Sequence, residues 1–285
     1  YTMAPSLVRI DASEQLENIL HIIERDGAVI VTNFLAEELL KESMDASESQ
    51  FGPHLSGRKM YDSKASHGEL GADFFPEGSQ RVYLIKIVRL PVWQGIMARF
   101  LNDEFASYTG ETLLPQKSGY MLASTAALRL VPGAKSQPLH RQSSFHADDG
   151  LLGCRIEMYI PKRSVIPGSH LWGVNRAPKK EEATYAEMEP ATYHGAGENK
   201  CGNNDPDALR TLFAILDYYR QDQEEVLSTP LEIARELPED ILRLAGYYKS
   251  VGGVGFVEDH QHPVEFLQKD QTGIGKFVSA AKVAV

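Results

Sequence analysis

The sequence predicts a mainly β domain, a sandwich or jelly roll, with helices flanking it. Helical spacing of apolar residues is concentrated in the amino-terminal third and in a stretch near the carboxy terminus. Between them, from Tyr120 onward, apolar residues come in short runs punctuated by glycine and proline, the pattern of an all-β core. With 42% hydrophobic residues among 285 and no long apolar run, the chain can bury a sizeable core without spanning a membrane.

From Ser13 to Arg25 the residues Leu16, Ile19, Leu20, Ile22 and Ile23 recur at helical spacing, with Ser13 as the expected cap. Asp26-Gly27 breaks that helix, and Ala28 to Val31 reads as a short strand. Ala36 to Glu48 reads as a second helix, followed by loop through Gly52, Pro53, Gly57, Gly68 and Gly71. Gln80 to Leu101 is helical with a break near Pro91. Strands are expected at Tyr120 to Leu130, Cys154 to Ile160, Ser164 to Ile166 and Leu212 to Tyr218. Pro230 to Leu244 is helical again, with Thr229 as cap and Pro230 at the first helical position. One domain over 1–285 is expected: helical to about 118, β from about 119 to 222, then helix and tail.

The 39 acidic and 29 basic residues leave a net charge of -10, which disfavours nonspecific binding to nucleic acid or anionic lipid. Cys154 and Cys201 are too few and too far apart for a disulfide framework or a cysteine metal site. The amino terminus has no secretory apolar segment, so the cytoplasm is the expected compartment, with Met3 as initiator.

His140-Arg141-Gln142 is the most informative tripeptide. Two histidines and one carboxylate with open positions let non-haem Fe(II) bind a co-substrate and O2 together. Here the third residue is an amide, and a second histidine stands in Tyr193-His194-Gly195. Read alone, His140 is equally a polar turn residue. Arg210 precedes the apolar run Thr211 to Leu216, where a guanidinium can grip a carboxylate in bidentate fashion or simply pair with Asp205 or Asp207.

In serial order, the chain carries Ile23 to Phe34, Phe74-Phe-Pro-Glu-Gly78, Pro132-Gly133 to Leu139-His140, Val165-Ile-Pro-Gly-Ser-His170, Tyr193-His194-Gly195, Arg220-Gln221, Pro230 to Glu239 and Gly246-Tyr247. These blocks resemble the phytanoyl-CoA dioxygenase-like family of Fe(II)/2-oxoglutarate-dependent oxygenases, and within it the fungal enzymes of meroterpenoid and related secondary metabolism. The resemblance implies a double-stranded β-helix, with His140, Gln142 and His194 at the iron-ligand positions and Gln137 and Arg210 at those that hold 2-oxoglutarate. Gln142 falls where the family places aspartate, so iron and co-substrate are expected to bind weakly or not at all. An alternative ligand pair is His146 and Asp148, a His-x-Asp six residues further on. The chain is also shorter than the family after Lys162 and after Pro190.

Three functions follow from that resemblance. The first is a non-catalytic subunit forming a heterodimer with an active paralogous oxygenase that acts on a small terpenoid. Its candidate interface is Gly246 to Phe266, with Tyr247, Tyr248, Phe256 and Phe266. The second is an active Fe(II)/2-oxoglutarate dioxygenase hydroxylating a terpenoid with an altered metal site. The third is a stand-alone protein that binds a metabolite.

Overall fold

The computed structural model describes residues 7–50, 67–70, 79–130, 139, 153–158, 163–172, 176–179, 184–185, 194–196, 207–217, 220–221 and 224–267. The chain opens with β1 (Arg9–Asp11), α1 (Leu16–Asp26) and β2 (Ile30–Thr32), β1 and β2 pairing in parallel across the helix. Two more helical stretches follow, α2 (Glu37–Gln50), then α3 (Ser79–Val88) and α4 (Pro91–Leu101), with β3 (His67–Leu70) between α2 and α3. Pro91 separates α3 from α4 as expected, standing at the start of α4 where its missing N–H removes no helical bond.

The helical layer packs around one main core, with a smaller cluster of Leu84 and Ile87 between α3 and α2 beside it. Ile19, Leu20 and Ile23 of α1 meet Trp93, Ile96, Met97 and Leu101 of α4. Each apolar side chain removed from water there contributes about 1.5–3 kcal/mol. From the carboxy-terminal part, α6 (Leu231–Ala234) and α7 (Glu239–Leu244) add Ile233, Ile241 and Leu242 to the same core, and Tyr247 is buried in it. Short α5 (Glu225–Ser228) and α8 (Val264–Leu267) complete that end.

Two antiparallel sheets carry the β part. Before them stands a hairpin, β4 (Asp103–Thr109) with β5 (Thr112–Ser118). The larger sheet combines β3, β6 (Tyr120–Leu130), β7 (Gly153–Met158) and β11 (Asp207–Leu216) in the order β3-β6-β11-β7. The smaller combines β8 (Arg163–Val165), β9 (Thr184–Tyr185) and β10 (His194–Ala196) in the order β10-β8-β9. β11, late in the chain, thus lies between two early strands, which is a wound arrangement and not a meander. Leu122 of β6 ties the larger sheet to the helical core, and the Trp93 and Tyr120 rings meet edge to face at 5.7 Å.

Several expectations need correction. Residues 103–118 form a hairpin within what the apolar spacing makes a helical third, and β3 occupies part of the expected loop. Ser13 does not cap α1: its amide and hydroxyl both donate to Asp11 Oδ1, at 2.9 and 2.7 Å, and Gln15 takes the cap position. These bonds hold Ser13 in a turn before the helix, so the helix starts two residues too late for Ser13 to cap it. Pro230 is itself the cap of α6, one position later than expected, and the buried Thr229 hydroxyl has no partner among the described residues. The expected single helix from 230 to 244 is two, parted at Arg235 to Pro238.

Candidate functional site

Of the residues singled out in sequence, Gln137, His140, Gln142, His146 and Asp148 lie outside the described residues. His194 opens β10 and stands in register opposite Val165 of β8. Arg210 is the fourth residue of β11, opposite Ala127 of β6 and Met158 of β7. It therefore sits inside a central strand and not at a strand start, because pairing extends β11 back to Asp207. The two positions belong to different sheets, His194 to the smaller and Arg210 to the larger. Among the described residues no group of three His, Cys, Asp or Glu side chains could hold a metal ion.

The backbone carrying His194 is fixed through β8 to the helical layer. After β8, Ile166 is buried and Pro167-Gly168 turns the chain, so that the Gly168 amide donates to the Asp26 carbonyl at 2.7 Å. The His170 ring Nε2–H donates to the Glu24 carbonyl at 3.1 Å. Both acceptors lie in the last turn of α1, where helical carbonyls lack partners within the helix. Gly27 supplies a third donor there, its amide reaching the Ile23 carbonyl at 2.7 Å. The segment Val165 to His170 is thus a clamp: it caps α1 and holds the strand against which His194 is registered.

At the opposite end of β6 a cavity of about 710 Å³ opens between α4, the start of β6, the end of β11 and the carboxy-terminal segment. Tyr120, Asp217, Gln221, Arg243, Tyr248 and Lys249 line it. Several of its polar groups are already paired with neighbouring parts of the chain. The Gln221 amide donates to the carbonyls of Leu122 and Ala245 at 2.7 and 3.2 Å, Asp217 accepts from the Gly119 amide at 3.0 Å and from the Ser250 hydroxyl, and Arg243 lies 3.9 Å over the Tyr248 ring. Burial pushes the Tyr120 phenol above its ordinary pKa, so it stays neutral. β6 spans 11 residues. At about 3.3 Å each, it holds this cavity roughly 30 Å from the strand's other end, beyond which the chain runs on to His140.

The expected interface from Gly246 to Phe266 divides. Tyr247 is buried in the chain's own core and Tyr248 is covered by Arg243, whereas Phe256 is 53% exposed and meets the His260 ring at 4.2 Å. Tyr247 is therefore a packing residue. Among the described residues, no helix is long and apolar enough to cross a membrane.

No family model matches the chain. Known proteins do. Over 94% of this chain and 94% of its own length, Dioxygenase swnH1 of Arthroderma benhamiae is 26% identical. The Dioxygenase swnH1 of Metarhizium robertsii is 24% identical over 91% of each chain, and Multifunctional dioxygenase prhA of Penicillium brasilianum 24% over 87% of this chain and 88% of its own. This chain is thus similar, over nearly its whole length, to fungal proteins named dioxygenase. Its fold is shared with the non-haem α-ketoglutarate-dependent epimerase SnoN from nogalamycin biosynthesis, whose complex with Fe3+, α-ketoglutarate and nogalamycin RO superposes with a TM-score of 0.52, at 14% identity, over 79% of this chain and 90% of that one. The alignment with the Arthroderma relative runs over 304 positions, more than the 285 residues present here, so that dioxygenase carries residues with no counterpart in this chain.

Proposed function

We propose that this chain is the non-catalytic member of a heteromeric Fe(II)/2-oxoglutarate oxygenase of fungal secondary metabolism, built on a double-stranded β-helix. The observation that carries the reading is Gln142. His140, Gln142 and His194 stand at the iron positions and Gln137 and Arg210 at the co-substrate positions, so the donor set is two imidazoles and an amide. That set does not fit a ferrous ion well, because a neutral amide oxygen leaves the dication without the anionic ligand that hard cations favour. An active paralogue then supplies the chemistry on a small terpenoid, and this chain supplies a folded surface that completes or stabilises it.

The test is an anaerobic Fe(II) titration of the purified chain beside its Gln142→Asp variant, with succinate release from 2-oxoglutarate measured in both. Replacing the anionic ligand by a neutral amide predicts iron affinity roughly tenfold or more lower in the unaltered chain than in the variant. Stoichiometric iron in the unaltered chain overturns the reading. Loss of that iron on His146→Ala or Asp148→Ala would assign it to the alternative ligand pair. Co-expression with paralogous oxygenases tests the partner: product formation that needs both chains is the expected result.

A second reading, an active dioxygenase with an altered metal site, is favoured by one observation, the nearly end-to-end match to proteins named dioxygenase. It predicts succinate release by the isolated chain.

A further inference from the structure

The hairpin β4–β5 is the least covered part of the described structure. Phe105 is 41% exposed, Tyr108 72%, Leu113 52% and Leu114 39%. The register pairs Tyr108 with Leu113 and Ser107 with Leu114, so apolar groups stand on both faces of the ribbon. Its two strands are tied by a Lys117–Glu104 contact of 2.7 Å, and the rest of the chain meets it on the β5 side, at the buried Ser118 and against Val251–Gly253. Two strands with both faces in water are marginal unless a third strand or another layer joins them.

The two outer edges of this ribbon are not equivalent. Thr109 pairs with Thr112 around the two-residue turn Gly110-Glu111, where Gly110 takes the positive φ of 60° that such turns require. The pair flanking a two-residue turn exchanges both backbone bonds, and the alternation then leaves Tyr108–Leu113, Ala106–Pro115 and Glu104–Lys117 as pairs whose backbone groups point outward. On β5 the middle residue of that outward set is Pro115, which has no N–H, and the set ends in Lys117. Both features close an edge to further pairing. On β4 the outward set is Glu104, Ala106 and Tyr108, with no proline, lysine or bulge, and among the described residues β4 pairs only with β5.

Charge selects the partner's orientation. Asp103 and Glu104 crowd one end of β4. A parallel neighbour of the same sequence would set acid against acid. An antiparallel one centred on Ala106 sets Glu104 against Tyr108 and Asp103 against Thr109, with no like charges opposed and the smallest side chain of the strand at the two-fold axis.

We propose that β4 is a self-pairing edge, and that two copies of this chain join through antiparallel β4–β4 contact centred on Ala106 to make a continuous sheet β5-β4-β4-β5. The occupant is a second copy because the edge is complementary to itself in sequence, charge and hydrogen-bonding phase. The inference stands apart from how iron is held.

Sedimentation velocity and light scattering on the full chain, over a micromolar concentration series, test it. The unaltered chain is expected at the mass of two copies. Ala106→Pro removes the central outward N–H while leaving the β4–β5 bonds in place, and Tyr108→Glu, at a position too exposed to disturb folding, sets a carboxylate against Glu104 of the other copy at both ends of the contact. Each is expected to weaken association roughly tenfold or more, with circular dichroism unchanged for Tyr108→Glu. Should Ala106→Pro fail to fold, Tyr108→Glu alone decides. An unaltered chain that stays single-copy throughout overturns the proposal. So does a dimer that survives Tyr108→Glu, or a chain that associates only when a paralogous oxygenase is present.

Discussion

The Gly168 amide donates to the Asp26 carbonyl at 2.7 Å, and this bond fastens the turn after β8 to the end of α1. Gly168 holds φ at 75°, and a Cβ added there would meet no atom within 4 Å. The cost of Gly168→Ala is therefore conformational alone, about 1–2 kcal/mol for a left-handed residue with a side chain. A melting temperature lower by about 2–4 °C per kcal/mol is expected. Faster hydrogen exchange at the β8–β10 amides should accompany it, since that pairing depends on the clamp. An unchanged melting temperature would show that the turn can relax without the positive φ.

Gln221 is the second fastening. The ladder between β6 and β11 shifts register between Phe213 and Ala214, skipping Ala123, and beside that break the Leu122 carbonyl accepts from the Gln221 side chain instead. Gln221→Leu keeps the volume and leaves the carbonyls of Leu122 and Ala245 buried with fewer donors, at about 1–3 kcal/mol. Urea unfolding should show a lower midpoint with an unchanged slope. A slope change would mean that the unfolded ensemble, and not the lost bonds, carries the effect.

Helix positions were legible because α1 and α4 have core faces set by their own spacing, Ile19, Leu20 and Ile23 against Trp93, Ile96 and Met97. The strands β6, β7, β8 and β11 were legible as short apolar runs, although the apolar run in β11 hid its first residues, Asp207 to Arg210, which belong to the strand by pairing and not by hydropathy. The hairpin escaped because Asp103 to Ser118 does not alternate apolar and polar residues: it buries neither face, so nothing in its composition had to keep period two. Its one local signal was Gly110 in a two-residue turn. Capping failed at Ser13 and Thr229 for a different reason. The cap of α1 is Gln15, two residues beyond Ser13, and that of α6 is Pro230, one residue beyond Thr229, so a residue type suited to capping is not enough to fix where a helix starts. Of the candidate site, the resemblance nominates His194 and Arg210, whereas their separation onto two sheets follows from strand pairing across long stretches of chain and is not written in either residue's neighbourhood.

Asp11 should titrate abnormally low. The Ser13 hydroxyl, then the Ser13 amide and the Asn33 side chain at 2.6 Å, donate to its carboxylate and lower its pKa from 3.8 to about 2. The folded form binds this proton less readily than the unfolded form. The carboxylate's contribution to stability is thus complete above pH 3.8 and is lost as pH falls toward 2. Carboxyl carbon shifts followed by NMR should give a midpoint near 2, and Ser13→Ala should move it up. A midpoint at 3.8 in the unaltered chain would mean that these bonds do not persist in solution.

Gly95 on α4 marks the closest approach of the two central helices. A Cβ placed there would lie 2.3 Å from Leu16 Cδ2, well inside contact distance. Two effects of Gly95→Ala oppose one another. Alanine in a helix interior gains about 1 kcal/mol over glycine, whereas forcing a methyl into a packed contact costs about 1–3 kcal/mol. Leu16 is the first residue of α1 and only half-buried, so its side chain can swing before either helix shifts, which puts the packing cost toward the low end. A net effect between about zero and a loss of about 1 kcal/mol is expected for the single change. Trimming the obstacle separates the effects: in a Leu16→Ala background the clash is gone and Gly95→Ala should become stabilising, by about the helix-propensity difference. Chemical denaturation of the four proteins of this cycle measures both signs. Equal effects of Gly95→Ala in the two backgrounds would show that α1 and α4 do not meet at Leu16.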